Sequence, residues 1–346
     1  MRLRTHMLWR EPGSSQVYTD PDAAVVLGDL SAEEQEFLDS LEKDASESTV
    51  RARARALGLS NARVDELLGV LDECGALEHH RDPRLDHDGL GAEVDHWSRA
   101  LRRDAHDVLT ARRRSVVGVL GLGRIGLLLA SGLAAAGVGT VLTEDRVRVR
   151  REDVGPGGYS LGDVGAARGE RARALLRLTY PHLRTSAPAR TRPDLVVLVD
   201  QDVSNPLRLR PLLREDIAHL LVVARELDVV VGPLIRPGVG PCGRCLELHR
   251  TDGDDRWPAL ATQLLGSPVR GVEASVAMAA AASAVGQVLA HLDGRPVATT
   301  GAALVHDPRH AAPRTQQWPV HPECGCTGLP TAVEPVGQHA TSPARW

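Results

Sequence analysis

The sequence predicts an α/β protein with a doubly wound sheet, preceded by a small helix-rich domain and closed by a metal-tied loop. Three observations predict it. Beyond residue 114, short apolar runs alternate with helical patterns. A Gly-x-Gly-x-x-Gly motif stands between the first of those runs and a helix. Four of the five cysteines fall in two close pairs, Cys242 with Cys245 and Cys324 with Cys326.

The small domain is expected over residues 1–80. Extended-type residues at 17–26 flank an Asp20-Pro21-Asp22 turn. Ser31 and Glu34 form a capping box at the start of a helix with Phe37, Leu38 and Leu41 on its apolar face. Residues 49–57 read as a second helix, stopped by Gly58. Ser60 caps a third, in which Val64, Leu67, Leu68 and Leu71 recur at helical spacing. Ala76-Leu77 then starts a strand, so the order is that of a winged helix. A linker is expected at 81–91 and a single approach helix over 96–112, so that residues 81–113 join the domains.

The larger domain is expected over 114–328, with a flexible tail at 329–346. Strands are read at 115–120, 138–143, 195–199, 220–223 and 229–231, and helices at 125–136, 257–265 and 271–292. Alternation of this kind implies a parallel, Rossmann-like sheet.

Composition bounds the function. A charge of −4 with 42% hydrophobic and 25% charged residues describes an ordinary globular chain. That charge is spread along the chain and leaves no footprint of nucleic-acid binding. Arg51, Arg53 and Arg55 read as an exposed helix face, with DNA contact the lesser alternative. Residues 1–10 have no apolar segment of a secretory signal, and the apolar run at 277–285 is too short to span a membrane. A cytoplasmic protein is expected, in which cysteines serve metal binding or reactivity rather than disulfides.

The glycine motif is Gly121-Leu122-Gly123-Arg124-Ile125-Gly126. Gly121 permits the tight turn, Gly123 lets a phosphate approach the backbone, and Gly126 lets the helix lie against the strand. Amides at a helix start face an anion with both orphan donors and the helix dipole. Glu144 and Asp145 end the second strand, where a ribose hydroxyl is met. Arg124 either neutralises phosphate or is a solvated surface arginine.

Cys242-x-x-Cys245 has the spacing of a metal knuckle, and the Cys324-x-Cys326 pair completes four thiolates for a closed, structural zinc site. Two unrelated pairs of buried thiols are the alternative, and His249 or His321 could replace one cysteine. Cys74 reads as a small buried hydrophobe.

These residues resemble the ThiF/MoeB/ubiquitin-activating superfamily over about 114–328. The resemblance implies a ThiF-type fold that activates a peptide carboxylate as an acyl-adenylate, using ATP and Mg2+. It matches Gly121, Gly123 and Gly126 to the loop and Asp145 or Glu144 to the ribose acid. Asp200 matches the magnesium-associated aspartate, and the four cysteines match the Zn2+ ligands. Arg168 falls where the family has a phosphate-contacting lysine, and 153–159 replaces its Ser-Asn-Leu-x-Arg-Gln stretch. The segment 240–258 is similar to that of ThiF-like proteins from thiazole/oxazole peptide clusters. There the N-terminal domain grips a precursor leader peptide as an added strand.

Two functions follow. An adenylyltransferase would use Asp200, Arg168 and Arg124 around the α-phosphate of ATP, with a precursor or small carrier peptide as substrate. A leader-binding scaffold with a degenerate nucleotide site would instead serve a YcaO-type cyclodehydratase. A homodimer is expected in either case, with helix 271–292 a candidate seam. A nicotinamide or flavin oxidoreductase fits the glycine loop but not the cysteine pairs.

Overall fold

The computed structural model describes residues 1–42, 44–79, 89–267 and 270–327. Most of the linker expected at 81–91, and the tail expected at 329–346, lie outside the described residues. The chain divides into two compact units. One comprises Met1–Ser115 with Leu133–Val141 and Leu175–Ala187; the other comprises Val116–Gly132, Leu142–Ala174 and the chain from Pro188 onward.

In the first unit, β1 (Arg2–Leu3) pairs antiparallel with β5 (Leu77–Glu78). Strands β2 (Met7–Glu11), β3 (Ser14–Val17) and β4 (Val25–Leu27) form an antiparallel sheet in that order. Pro12-Gly13 turns β2 into β3, with Gly13 at φ +86°, the left-handed conformation that a type II turn requires at its third residue. Helices α1 (Ala32–Asp39), α2 (Glu47–Ala56) and α3 (Asn61–Glu73) follow. The Ser31–Glu34 capping box is formed. Phe37, Leu38, Leu41, Val64, Leu67, Leu68 and Leu71 are all buried in one core, as their spacing required. Cys74 joins that core. The three helices and the strand after them are therefore present, but the main sheet precedes the helices, and the strand after α3 is only two residues long.

The single approach helix is in fact two, α4 (Gly91–Leu101) and α5 (His106–Arg114). Arg102 stands between them at φ 54°. The Ser98 hydroxyl accepts the Ala105 amide at 3.1 Å, which satisfies a donor exposed by the break.

The second unit carries most of a seven-stranded sheet of order β12-β11-β10-β9-β8-β6-β7. Strands β6 (Val116–Leu120), β8 (Leu195–Gln201) and β9 (His219–Ala224) run parallel. Their apolar residues are largely buried, as expected of strands covered on both faces. Strand β7 (Thr140–Glu144) lies beyond β6. Beyond β9 the sheet departs from the expected pattern: β10 (Val229–Ile235), β11 (Ala302–His306) and β12 (Arg314–Gln317) are each antiparallel to their neighbours. Helices α6 (Arg124–Ala135), α7 (Arg168–Thr179), α8 (Pro206–Arg214), α9 (Gly243–Gly253), α10 (Trp257–Leu264) and α11 (Ala274–Leu292) complete the chain. At 19 residues, α11 is long and apolar enough to cross a membrane by length and composition, contrary to the shorter run expected. Its residues Ala277, Ala280, Ala281, Ala284 and Val288 are nevertheless buried, and the helix contacts β9, β10 and β11.

Candidate functional site

The turn from β6 to α6 has the geometry that its glycines predict. Gly121 sits at φ +98°, and a Cβ there would lie 2.2 Å from Val199 O. A Cβ on Gly126 would lie 1.9 Å from Gly121 O, so no side chain fits. The first bond of the helix runs from Leu127 N to Gly123 O at 3.1 Å. That leaves the amides of Gly123, Arg124, Ile125 and Gly126 as the orphan donors of a helix start.

Beside this turn is a cavity of about 350 Å³, within the range of small-molecule sites. Gly121, Gly123, Arg124, Glu144, Asp145, Arg168 and Asp200 all line it. Every expected nucleotide-site residue except Gly126 is thus gathered around one space, and Gly126 lies against Gly121 behind the turn.

The charged side chains are engaged with one another. Arg168 donates from Nε and Nη2 to the two oxygens of Asp153 at 2.8 and 2.7 Å, and from Nη1 to Asp145 at 3.3 Å. Asp145 also accepts the amides of Leu122 and Val147 at 2.7 and 2.8 Å. Arg124 donates to two carbonyls, Val272 O at 2.7 Å and Val154 O at 2.6 Å. Asp200 accepts the Asn205 amide at 3.2 Å and is ion-paired with Arg208. Burial pushes the Asp200 carboxyl above its ordinary range, with the Arg208 charge opposing the shift.

Several residues of the site were not singled out in the sequence. Asp153 binds Arg168 and faces Gly123, with Oδ1 3.3 Å from where a Cβ would stand. The buried Tyr159 hydroxyl lies 2.9 Å from Leu122 O and 3.2 Å from Arg168 O. The segment 153–159, which departs from the family pattern, therefore braces the glycine turn and Arg168 together. Arg146 lines the cavity, is exposed, and among the described residues has no acidic partner. Arg208 lies in the first turn of α8, two residues after Pro206 and eight past Asp200, a spacing that by itself announces no ion pair.

The four expected thiols converge. Sγ separations are 3.5 Å for Cys242 to Cys324, 3.4 Å for Cys245 to Cys326 and 4.0 Å for Cys242 to Cys245. A tetrahedron with metal–sulfur bonds of about 2.3 Å has edges of roughly 3.8 Å, whereas a disulfide needs about 2.05 Å. The donor set therefore fits a closed four-thiolate metal site. Burial and the neighbouring thiols raise the pKa values of Cys324 and Cys326, so a cation is needed if all four are to ionise. His249 and His321 are not among these ligands. They group separately with Asp252. His321 Nδ1 accepts the Glu323 amide at 3.1 Å and Nε2 lies 2.8 Å from Asp252. With Nδ1 as acceptor, a neutral ring carries its proton on Nε2 and has no lone pair left there for a metal.

No protein-family model matches the sequence, and no curated protein is significantly similar to it. Solved structures do match. E. coli MccB bound to AMPCPP and MccA aligns at a TM-score of 0.65 and 16% identity, over 94% of this chain and 99% of that one. The microcin C7 biosynthetic enzyme MccB in complex with N-formylated MccA aligns at 0.64 and 14%, with the same coverage. PaaA aligns at 0.65 and 15%, over 91% of this chain and 98% of its own. The chain thus has a ThiF/MoeB-type fold, with E. coli MccB and PaaA among its structural neighbours.

Proposed function

We propose that this chain is a ThiF-like enzyme that binds ATP in the cavity beside the glycine turn and activates the carboxylate of a peptide. The observation that carries the proposal is the convergence of the glycine turn, Asp145 and Asp200 on one cavity of nucleotide size. Neighbouring MccB has been solved with ATP and with MccA, which supports both the nucleotide and a peptide partner.

In this reading the orphan amides at the start of α6 receive phosphate. Glu144, which is exposed and lines the cavity, shares the ribose with Asp145, whose oxygens are already largely engaged. Asp200 would hold Mg2+, which supplies charge neutralisation at the phosphates. A carboxylate oxygen of the peptide attacks the α-phosphorus, the bond to the β-phosphate bridge breaks, and pyrophosphate leaves with the displaced electron pair. Arg146 is a cavity cation that can turn to phosphate without breaking an ion pair or a hydrogen bond seen among the described residues. The four thiolates would hold Zn2+ as a structural tie. The edge of the β2-β3-β4 sheet, where Val26 is exposed, offers backbone groups to which an extended peptide can add as a strand.

Calorimetry with ATP–Mg2+ tests this reading. Saturable binding that is lost in Asp200→Ala supports it, and absence of binding to zinc-replete protein overturns it. A second reading is favoured by one observation: Arg168 and Arg124 are held by Asp153 and by carbonyls rather than left open to phosphate. In that case the chain is a peptide-presenting scaffold for a YcaO-type partner, and it binds leader peptide without nucleotide.

A further inference from the structure

A second cavity, of about 400 Å³, lies between α8, α9 and α10. Its walls are apolar: Val203, Leu209, Leu213, Leu221 and Leu246 line it, with Leu265 at its edge. Helix α10 has an apolar sequence, yet none of its residues is buried. Apolar surface held apart at this scale favours an occupant. The rim has a definite charge. Arg210 and Arg244 line the cavity and are exposed, and among the described residues neither has an acidic partner. Glu247, the acidic residue lining it, is neutralised by Arg250 at 2.6 Å and also accepts the Trp257 Nε1 proton at 2.6 Å. The electrostatics therefore favour an anion beside an apolar group.

The position is also informative. Asp200, Gln201 and Arg208 line the first cavity, while Val203, Ser204, Leu209 and Arg210 line the second. The two spaces flank one stretch of chain, the end of β8 and the first turns of α8.

We propose that the second cavity seats an apolar side chain of the substrate peptide, with Arg210 and Arg244 binding an acidic side chain next to it. This rests on the reading that the chain acts on a peptide, and it makes these two arginines specificity-determining residues. A peptide held here lies against the same segment that carries Asp200.

The test uses full-length protein and two fluorescent octapeptides, one with Leu-Glu-Leu at its centre and one with Leu-Gln-Leu. Anisotropy should show the acidic peptide binding about tenfold more tightly, the scale of one charge-assisted contact. The Arg210→Gln/Arg244→Gln variant should lose that preference, and Thr262→Trp, which fills the cavity from exposed α10, should weaken both peptides. Equal binding of the two peptides to the unaltered protein, or no binding of either, overturns the proposal. So does sedimentation showing that the double variant converts a dimer to a monomer, since the face then belongs to a second copy. Calorimetry with ATP on the same samples keeps the two readings apart. Peptide discrimination without ATP binding sinks the nucleotide reading alone, and ATP binding without discrimination sinks this one alone.

Discussion

Arg168 lines the cavity, yet its guanidinium is engaged by a carboxylate that the sequence did not single out. Its position in the sequence suggested a phosphate contact. Its planar fork, however, matches the Asp153 carboxylate, which a lysine could not engage in the same bidentate way. Both side chains are over nine-tenths buried. Removing one partner leaves a buried charge, so Arg168→Met should cost about 3–5 kcal/mol of stability in urea denaturation. The double variant Arg168→Met/Asp153→Asn should cost clearly less than the sum of the single changes, and strict additivity would show that the pair is not coupled. Gly121 and Gly126 were legible because steric limits dictate their residue type, and the four cysteines because close pairing of a rare residue marks a cluster. The Arg168–Asp153 and Arg208–Asp200 pairs were not, because a tertiary pairing between two common charged residues leaves no trace in a single sequence.

Among the elements, caps and long apolar patterns were the readable features. The helix starts at Ser31 and Ser60 stand where the sequence put them. The hairpin of β2 and β3 was missed although Pro12-Gly13 is a turn signal, because the strands around it mix polar and apolar residues. The break between α4 and α5 carries neither glycine nor proline. Arg102 adopts the left-handed conformation there, and the Ser98 hydroxyl and Asp104 carboxylate accept the amides of Ala105 and His106. Strands β11 and β12 were unread because they follow the long helix and extend the sheet antiparallel. Helix α11 supplies a test. Glu273 caps it, accepting the amides of Ser275 and Val276. The Ser275 side chain and then these amides push the Glu273 carboxyl down to about 2. Because the folded-state value is depressed, the contribution is complete above the unfolded value of about 4.3 and is lost as pH falls toward 2. Thermal melts of Glu273→Ala should therefore show a lower midpoint than the parent at pH 7, with the gap closing by pH 2. A gap independent of pH would exclude the ionised cap.

For the whole molecule, the expected linear partition at residues 80 and 113 differs from the units that form. The first unit takes in 133–141 and 175–187, stretches that lie far along the chain. Contiguous boundaries follow composition, whereas compact units follow contacts, and those reach across sequence. The thiol cluster joins Cys242 and Cys245 to partners some eighty residues away. If it holds zinc, metal analysis should find one equivalent per chain, and chelation should lower the thermal midpoint by about 10 °C or more. A midpoint unmoved by complete removal of metal would count against a structural role. The cluster also has a consequence for synthesis. The cage cannot close until Cys326 has emerged from the ribosome, by which time β6 to β11 are already available to fold. If the cluster holds a metal, assembly has a late checkpoint: a polypeptide cut short before its last thiol would have the strands of the sheet but no latch on the loop around Gly240.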